Sequence, residues 1–475
     1  MQIPVLGGAY EGRSSNVSPQ TCINLFYEKA KDGECLVGTP GATLFSNIGG
    51  GEVRGGIEYN GRAFFVVGDT LYEVNDAGTA TSRGTLLTTK GRVSIAHNGY
   101  RPGANQQIMI VDGKYGYIYD FPNATLTQIT DTDFKEPSSV VFIDGYFIYS
   151  ETDTDRFYLS SSYDGTAYDA ADLYTAEGWP DRIKTLIADR RELFVFGEET
   201  LEVWYNSGDV DNTFQRFQGG FVQTGCAAAF SPAKIDNNIY WLTQNDRGNA
   251  LVAMMGNGYQ PQIVSTPEVA YQMSTYSRVD DAFSYVYQDE GHEFYVLTFP
   301  TAKATWVFDS ATKEWHQRAH VINSEFPNRE RYNCHVFCFG KHLVGDFEDG
   351  KIYALDTSVG TLNGTRIPRE RKTANITSEE RRIRIAEVQL DMEEGTGSSN
   401  TSNDADVWVS YSKDGGHTYS DEIAGSWGDE GEYSTRVIWR RLGLGRNWIF
   451  RFRTWSPNRV LIKGAYARIF GNRNA

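Results

Sequence analysis

Between about residues 53 and 356 one pattern recurs: an apolar, aromatic strand, a two- or three-residue turn, a second strand, then two looser strands. Clear copies lie at 56–67, 140–149, 185–196, 233–242, 284–297 and 335–345, with a weaker one at 108–120. Asn60-Gly61 and Asp144-Gly145 occupy two of the turns, and these residues tolerate the positive φ that a two-residue hairpin demands. Seven units over roughly 300 residues give a period of ~43, and four strands repeated every ~40–50 residues mark β-propeller blades. The pattern predicts an all-β chain built on a β-propeller of about seven blades, with six as the alternative count. Unrelated hairpins in a β-sandwich share the same local signals and are the competing architecture. Aromatics at 13%, with 48 Gly and only 6 Met, suit short pleated strands and tight turns in either case.

The flanks read differently. Residues 1–52 form an extended N-terminal arm, broken at Gly7-Gly8, Pro19, Pro40-Gly41 and Gly49-Gly50-Gly51. The arm is expected to lend a strand to the propeller or to the C-terminal domain, and a stretch near 36–45 suits the last blade. The propeller then spans 53–358. Residues 359–380, with Gly360, Gly364, Pro368 and a dense charge run, read as a linker. Alternating strands over 381–475 predict a small antiparallel β-sandwich, interrupted by a Gly/Ser/Asn-rich stretch at 393–403 that reads as mobile. Alternation puts Phe450 and Phe452 inward and Arg451 and Arg453 outward.

Charge is polarised along the chain. The net value is −16, yet residues 433–475 hold ten cations and no carboxylate, leaving −26 on the other 432 residues. The surface formed by Arg436, Arg440, Arg441, Arg446, Arg451 and Arg453 is therefore the candidate interface. Arg interleaved with Trp439, Trp448 and Trp455 suits a nucleic-acid backbone. Arg and Trp are equally the residue types of protein interfaces, and the acidic remainder offers a partner in a second copy of the chain. Assembly ranks first here and DNA second.

Nothing in the sequence forms a catalytic or cofactor-binding constellation. Ser412, Asp414, Gly416, Thr418 and Tyr419 match the Asp-box pattern, in which the carboxylate caps its own turn; it is a structural signal. Cys334, Cys338 and His342 do not converge on a strand, because His335 and the cysteines point to opposite faces. The acidic clusters at 131–133, 153–155 and 209–212 lack the calcium-loop pattern. No apolar run reaches the ~18 residues of a membrane helix, so no membrane insertion is expected. The N-terminus has no secretory-signal pattern, and five scattered cysteines fit folding in a reducing cytoplasm. The chain thus reads as a non-enzyme without cofactor or metal; the alternative is a carbohydrate-binding or glycan-cleaving propeller, motivated by the Asp box and the aromatics.

In order and spacing the chain resembles the packaged-DNA stabilisation proteins, or tail hub proteins, of short-tailed bacteriophages. The matching segments are Asn24-Leu-Phe-Tyr with Thr39-Pro-Gly41, then 53–60, 91–97, 196–204, 412–419 and 436–445; residues 100–180 and 245–330 match poorly. The resemblance implies a virion protein, made in the host cytoplasm, that joins the portal vertex after DNA packaging. It implies a ring of six copies below the portal-bound adaptor, retaining the genome until ejection and carrying tailspike or tail-fibre and tail-needle or plug proteins. Genomic DNA would pass through such a ring without sequence-specific binding, past an acidic body that does not hold phosphate.

Overall fold

The computed structural model describes residues 1–99, 105–176, 178–179, 181–209, 212–245, 247–256, 258–378, 381–395 and 406–471. Among them, seven four-stranded antiparallel blades follow one another, five as separate sheets and two as parts of a nine-stranded and a six-stranded sheet. Blades 1 to 6 occupy 53–85, 94–128, 137–175, 183–222, 233–263 and 283–317. Blade 7 takes three strands from 332–356 and its outermost strand, Gly41–Asn47, from the N-terminal arm, Asp356 opposite Gly41 and Lys351 opposite Asn47. The fold is an all-β propeller followed by a β-sandwich, with seven blades rather than six.

The recurrent hairpins are the inner strand pairs of six blades. In blade 1 Tyr59 pairs with Arg62 and in blade 3 Ile143 pairs with Tyr146. Both turns use positive φ at both residues: 50° and 74° at Asn60-Gly61, 48° and 97° at Asp144-Gly145. The weak copy at 108–120 has another origin. It covers the second and third strands of blade 2, because the first two are joined through residues 98–106 instead of a tight turn.

Blades are held to one another by apolar layers. Phe65 and Val67 of blade 1 pack with Cys334, Val336 and Leu343 of blade 7, closing the ring. Phe194 and Phe196 of blade 4 meet Ile239 and Trp241 of blade 5. Truncating a buried aromatic in such a layer costs ~3–5 kcal/mol, so the ring behaves as one packed body. The one α-helix among the described residues, Pro267–Ser274, starts at the Thr266 N-cap with Pro at its first turn and buries Val269 and Met273. Its Gln272 donates to the carbonyl of Glu11 in the arm at 2.9 Å.

The sandwich is not separate from the propeller. One of its sheets orders Val437–Gly445, Ile383–Met392, Leu461–Gly471, Gly33–Gly38 and Leu25–Ala30, so a hairpin of the arm supplies two of its strands. The other sheet is the outward continuation of blade 6. Its outermost strand Trp315–Gln317 pairs with Cys22–Ile23 of the arm, which pairs with Arg369–Lys372, then Ile449–Thr454, Asp406–Ser412 and Ile423–Ser426. Phe450 and Phe452 are buried between the sheets while Arg451 and Arg453 stay on the half-exposed side.

The linker expected at 359–380 is corrected by this arrangement. Its charge run forms strand Arg369–Lys372, whose Arg369, Glu370 and Arg371 are all buried. Charged residues read as solvated when nothing in the sequence supplies partners; here distant backbone carbonyls do so for Arg369 and Arg371, and Thr21 and Arg453 do so for Glu370. Of the stretch at 393–403, residues 396–403 lie outside the described residues.

Candidate functional site

The six arginines of the candidate interface separate into two groups. Arg436, Arg440, Arg441 and Arg446 are exposed along and beside strand Val437–Gly445. Arg440 approaches Glu387 of the neighbouring strand at 3.6 Å, and Arg468 approaches the same carboxylate at 3.9 Å. Arg451 and Arg453 are engaged within the molecule. Arg453 donates to Glu370 at 2.6 Å and to Glu422 at 3.2 Å. Arg451 donates to Ser410 at 3.0 Å and lies over the Tyr419 ring at 4.8 Å. These two therefore hold the blade-6 sheet extension together, and the outward-facing cationic surface belongs to the opposite sheet.

Two of the three tryptophans interleaved with this set do not face outward, while Trp455 is half-buried and edge-on to Trp408 at 5.2 Å. Trp439 and Trp448 are buried between the sheets, and Trp439 donates to the carbonyls of Ile423 and Ala424 at 3.0 and 3.1 Å. Buried rings offer no platform for bases, so of the single-strand grip that the Arg/Trp alternation allowed only Trp455 keeps a partly accessible ring.

The Asp box is a closed local network. Ser412 Oγ donates to Asp414 Oδ1 at 2.6 Å and accepts from the amide of Gly416 at 2.8 Å. Asp414 also accepts from the amides of His417 and Thr418, both at 3.0 Å, and from Thr418 Oγ1 at 2.6 Å. Those bonds, the Ser412 hydroxyl first, hold the Asp414 carboxyl far below the usual carboxylate range. Tyr419, pushed up to about 12 by burial, receives Arg451 on its ring. The turn also seats the arm: Gly415 has φ +77° and passes so close to Asn16 that a Cβ there would lie 1.6 Å from Oδ1. The side chains of Ser412, Asp414 and Thr418 are thus all engaged within the turn.

Two residues that matter most to this junction were not singled out by the sequence. Arg371 is fully buried, and its guanidinium donates to the carbonyls of Val5 (2.6 Å), Gly8 (2.7 Å), Leu6 (3.2 Å) and Thr21 (3.2 Å) and to the Gln20 side chain (3.0 Å). Burial lowers its affinity for the proton, yet the acceptor cage keeps the charge solvated by backbone dipoles. Asn24, at φ 55°, donates to the carbonyls of Ala319 (2.6 Å) and Pro368 (2.7 Å) and accepts from the Ala319 amide at 2.9 Å. It joins arm, blade 6 and the strand leading into the sandwich. The Asn in Asn-Leu-Phe-Tyr was the only visible signal; for Arg371 there was none.

The remaining candidates resolve as structure. Cys334 and Cys338 are buried between blades 7 and 1, and burial pushes the Cys334 thiol up to about 11. His335 lies on the other face, its Nε2 3.0 Å from His342 Nδ1. Among the described residues no three His, Cys, Asp or Glu side chains gather as a metal site. Asp131 accepts from the amides of Asp133 and Tyr168 at 2.9 and 3.2 Å, and Asp153 lies 3.9 Å from Arg182; residues 210 and 211 are outside the described residues. At the axis of the propeller Arg92, from the loop entering blade 2, reaches across to blades 6 and 7 and to Phe230 in the connection leading into blade 5. Its guanidinium lies 3.9 Å from the Phe283 ring centroid and 5.4 Å from that of Phe230, and it donates to the Asn333 carbonyl at 2.8 Å.

Propeller and sandwich, stitched through the arm and carrying charged outer faces, define a rigid two-domain structural protein. Comparison with known families is decisive about which kind. The profile of the bacteriophage P22 Gp10 β-propeller matches residues 1–360, and that of the Gp10 β-sandwich matches residues 368–470. The chain belongs to this phage DNA-stabilisation family; it is a structural phage protein, a component of the virion, and not an enzyme. A search of curated proteins found no match. Among solved structures, the chain is similar to PorZ, a surface component of the type-IX secretion system of Porphyromonas gingivalis, at 10% identity and TM-score 0.41 over 74% of this chain. It spans 44% of the PorZ chain. It is also similar to the N-terminal domain of Nup159 (8% identity, TM-score 0.41, 70% of this chain and 98% of that one). YCF48 bound to a D1 peptide matches at 13% identity and TM-score 0.41 over 67% of this chain and 97% of that one.

Proposed function

We propose that this protein forms a closed ring, with six copies as the expected number, at the portal vertex of a short-tailed phage. There it adds below the portal-bound adaptor once packaging is complete, retains the DNA until ejection, and offers attachment points for tailspike or tail-fibre and tail-needle or plug proteins. Family membership supports the structural role in DNA stabilisation. The observation that supports assembly is the division of the arginines: two serve the intramolecular junction, while the others form an exposed cationic face on a packed, rigid subunit. Arg92 bars the axis of each propeller, so a DNA path in this reading runs between subunits and not through them. With Trp439 and Trp448 turned inward, the sandwich suits a role in which DNA passes without sequence-specific contact.

Native mass spectrometry of the chain, alone and with portal–adaptor complexes, tests this reading. A closed oligomer on the adaptor is expected. A chain that stays monomeric and ignores the adaptor overturns it.

A further inference from the structure

The ring reading leaves open which surfaces meet, and the charge distribution over the fold answers that. Blade 6 continues into the sandwich. In a ring of seven blades the two farthest from blade 6 are blades 2 and 3, so the sandwich and blades 2–3 are opposite poles of the subunit. Residues 105–176, which make up most of these two blades, hold twelve carboxylates and three cations, a net −9. Asp169 is exposed and Asp172 half-buried on the outermost strand of blade 3, Asp164–Thr175. The carboxyl of Asp172 is raised by partial burial and by Asp169 beside it, a repulsion that a docked cation relieves.

At the other pole, no described residues form a layer over the outer face of the sheet built on Ile383–Met392. Leu444 is 41% and Tyr466 45% exposed there. Around them stand Arg384, Arg440 and Arg468, all exposed. Leu444 pairs with Arg384, Arg440 with Glu387, and Glu387 with Arg468 across the three central strands. Two arginines thus share one carboxylate, Glu387. A row of two arginines sharing one carboxylate, flanked by exposed Leu444 on one side and Tyr466 on the other, fits an acidic protein surface.

Resting on the ring reading, we propose that the outer sandwich face of one copy, centred on Arg440, Leu444, Tyr466 and Arg468, docks on the acidic rim of blades 2 and 3 of the next copy. Because the two surfaces differ and sit at opposite poles, the contact is heterologous and propagates head to tail, the arrangement that closes into a ring when the rotation is right.

The test uses two charge-reversed full-length variants, Arg440→Glu/Arg468→Glu and Asp169→Lys/Asp172→Lys, each shown to be native by circular dichroism and melting temperature. Should either reversal prevent folding, Arg440→Gln/Arg468→Gln and Asp169→Asn/Asp172→Asn take its place and are expected to weaken association at least tenfold. Each reversed variant alone should fail to assemble under conditions where the wild type does. An equimolar mixture should restore a ring of alternating variants, because the reversed faces are again complementary. Variants that assemble like wild type, or that both fail and are not rescued by mixing, overturn this assignment while the wild-type ring stands. A wild type that never assembles overturns the ring reading along with it.

Discussion

Arg371 donates from Nε to the carbonyl of Val5 at 2.6 Å, across 366 positions of the chain. With its four further acceptors in the arm, this guanidinium is what fixes residues 5–21 onto the strand that bridges propeller and sandwich. Arg371→Met should therefore destabilise the protein by about 3 kcal/mol or more, since buried carbonyls lose their donors without access to water. Urea unfolding measures the loss, and limited proteolysis should cut the arm before the propeller. Arg371→Lys should recover only part of it, because one ammonium cannot reach every acceptor of the fork. An unchanged unfolding midpoint in Arg371→Met would refute this account.

The Asp-box turn should behave as a local clamp. Asp414→Ala removes four acceptor bonds from an exposed turn and should cost about 1–2 kcal/mol without changing oligomeric state. Gly415→Ala should be the more damaging change, because it strains a positive φ and drives a methyl group into Asn16. Differential scanning calorimetry of both variants orders them directly.

Acid should weaken the fold through its histidines. Burial pushes His320 and His335 down to about 3 from an ordinary 6.5. The unfolded chain then binds protons that the folded one refuses, so their contribution is present above about pH 6.5 and is lost as pH falls toward 3. His292 acts with the opposite sign: burial opposes its charging, but the Asp309 bond raises it overall, so its contribution fades as pH rises. The melting temperature should fall steadily below pH 6.5, and a His320→Gln variant should show a shallower slope over that range. Equal slopes would exclude His320 as a source.

The Arg92 crossing of the propeller axis should also be measurable. A desolvated cation–π contact contributes about 2 kcal/mol, so Arg92→Ala should lower the unfolding free energy by about that amount. Arg92→Lys should not restore it fully, because an ammonium cannot stack flat on Phe283 while donating to Asn333. Denaturant melts of the two variants, compared with wild type, decide the point.

Much of this architecture was legible in local chemistry. Asn60-Gly61 and Asp144-Gly145 announced two-residue turns because few other residues accept their dihedrals, and the spacing of such hairpins marked the blades. Phe450 and Phe452 announced the inward side of a strand through simple alternation. The basic face was legible only in part. Composition showed ten cations near the C-terminus, but not that Arg451 and Arg453 turn to Glu422 and Glu370 while Arg440 stays exposed beside a shared Glu387. That division depends on carboxylates up to 83 positions away.

The repeat period, the turns and the charge polarity along the chain follow from neighbouring residues, whose dihedral preferences and pleat alternation act over a few positions. Three dimensions alone settled where the arm goes and what 359–380 becomes. The residues of Cys22–Ile23 carry no mark of which strands they join, and a run such as Arg369-Glu370-Arg371 reads as solvated until partners are found for it. For Arg371 those partners include backbone carbonyls more than 300 positions away in the chain, and backbone acceptors carry no residue-type signal. The physical reason for burying Arg371 therefore exists only once the arm has been folded against it.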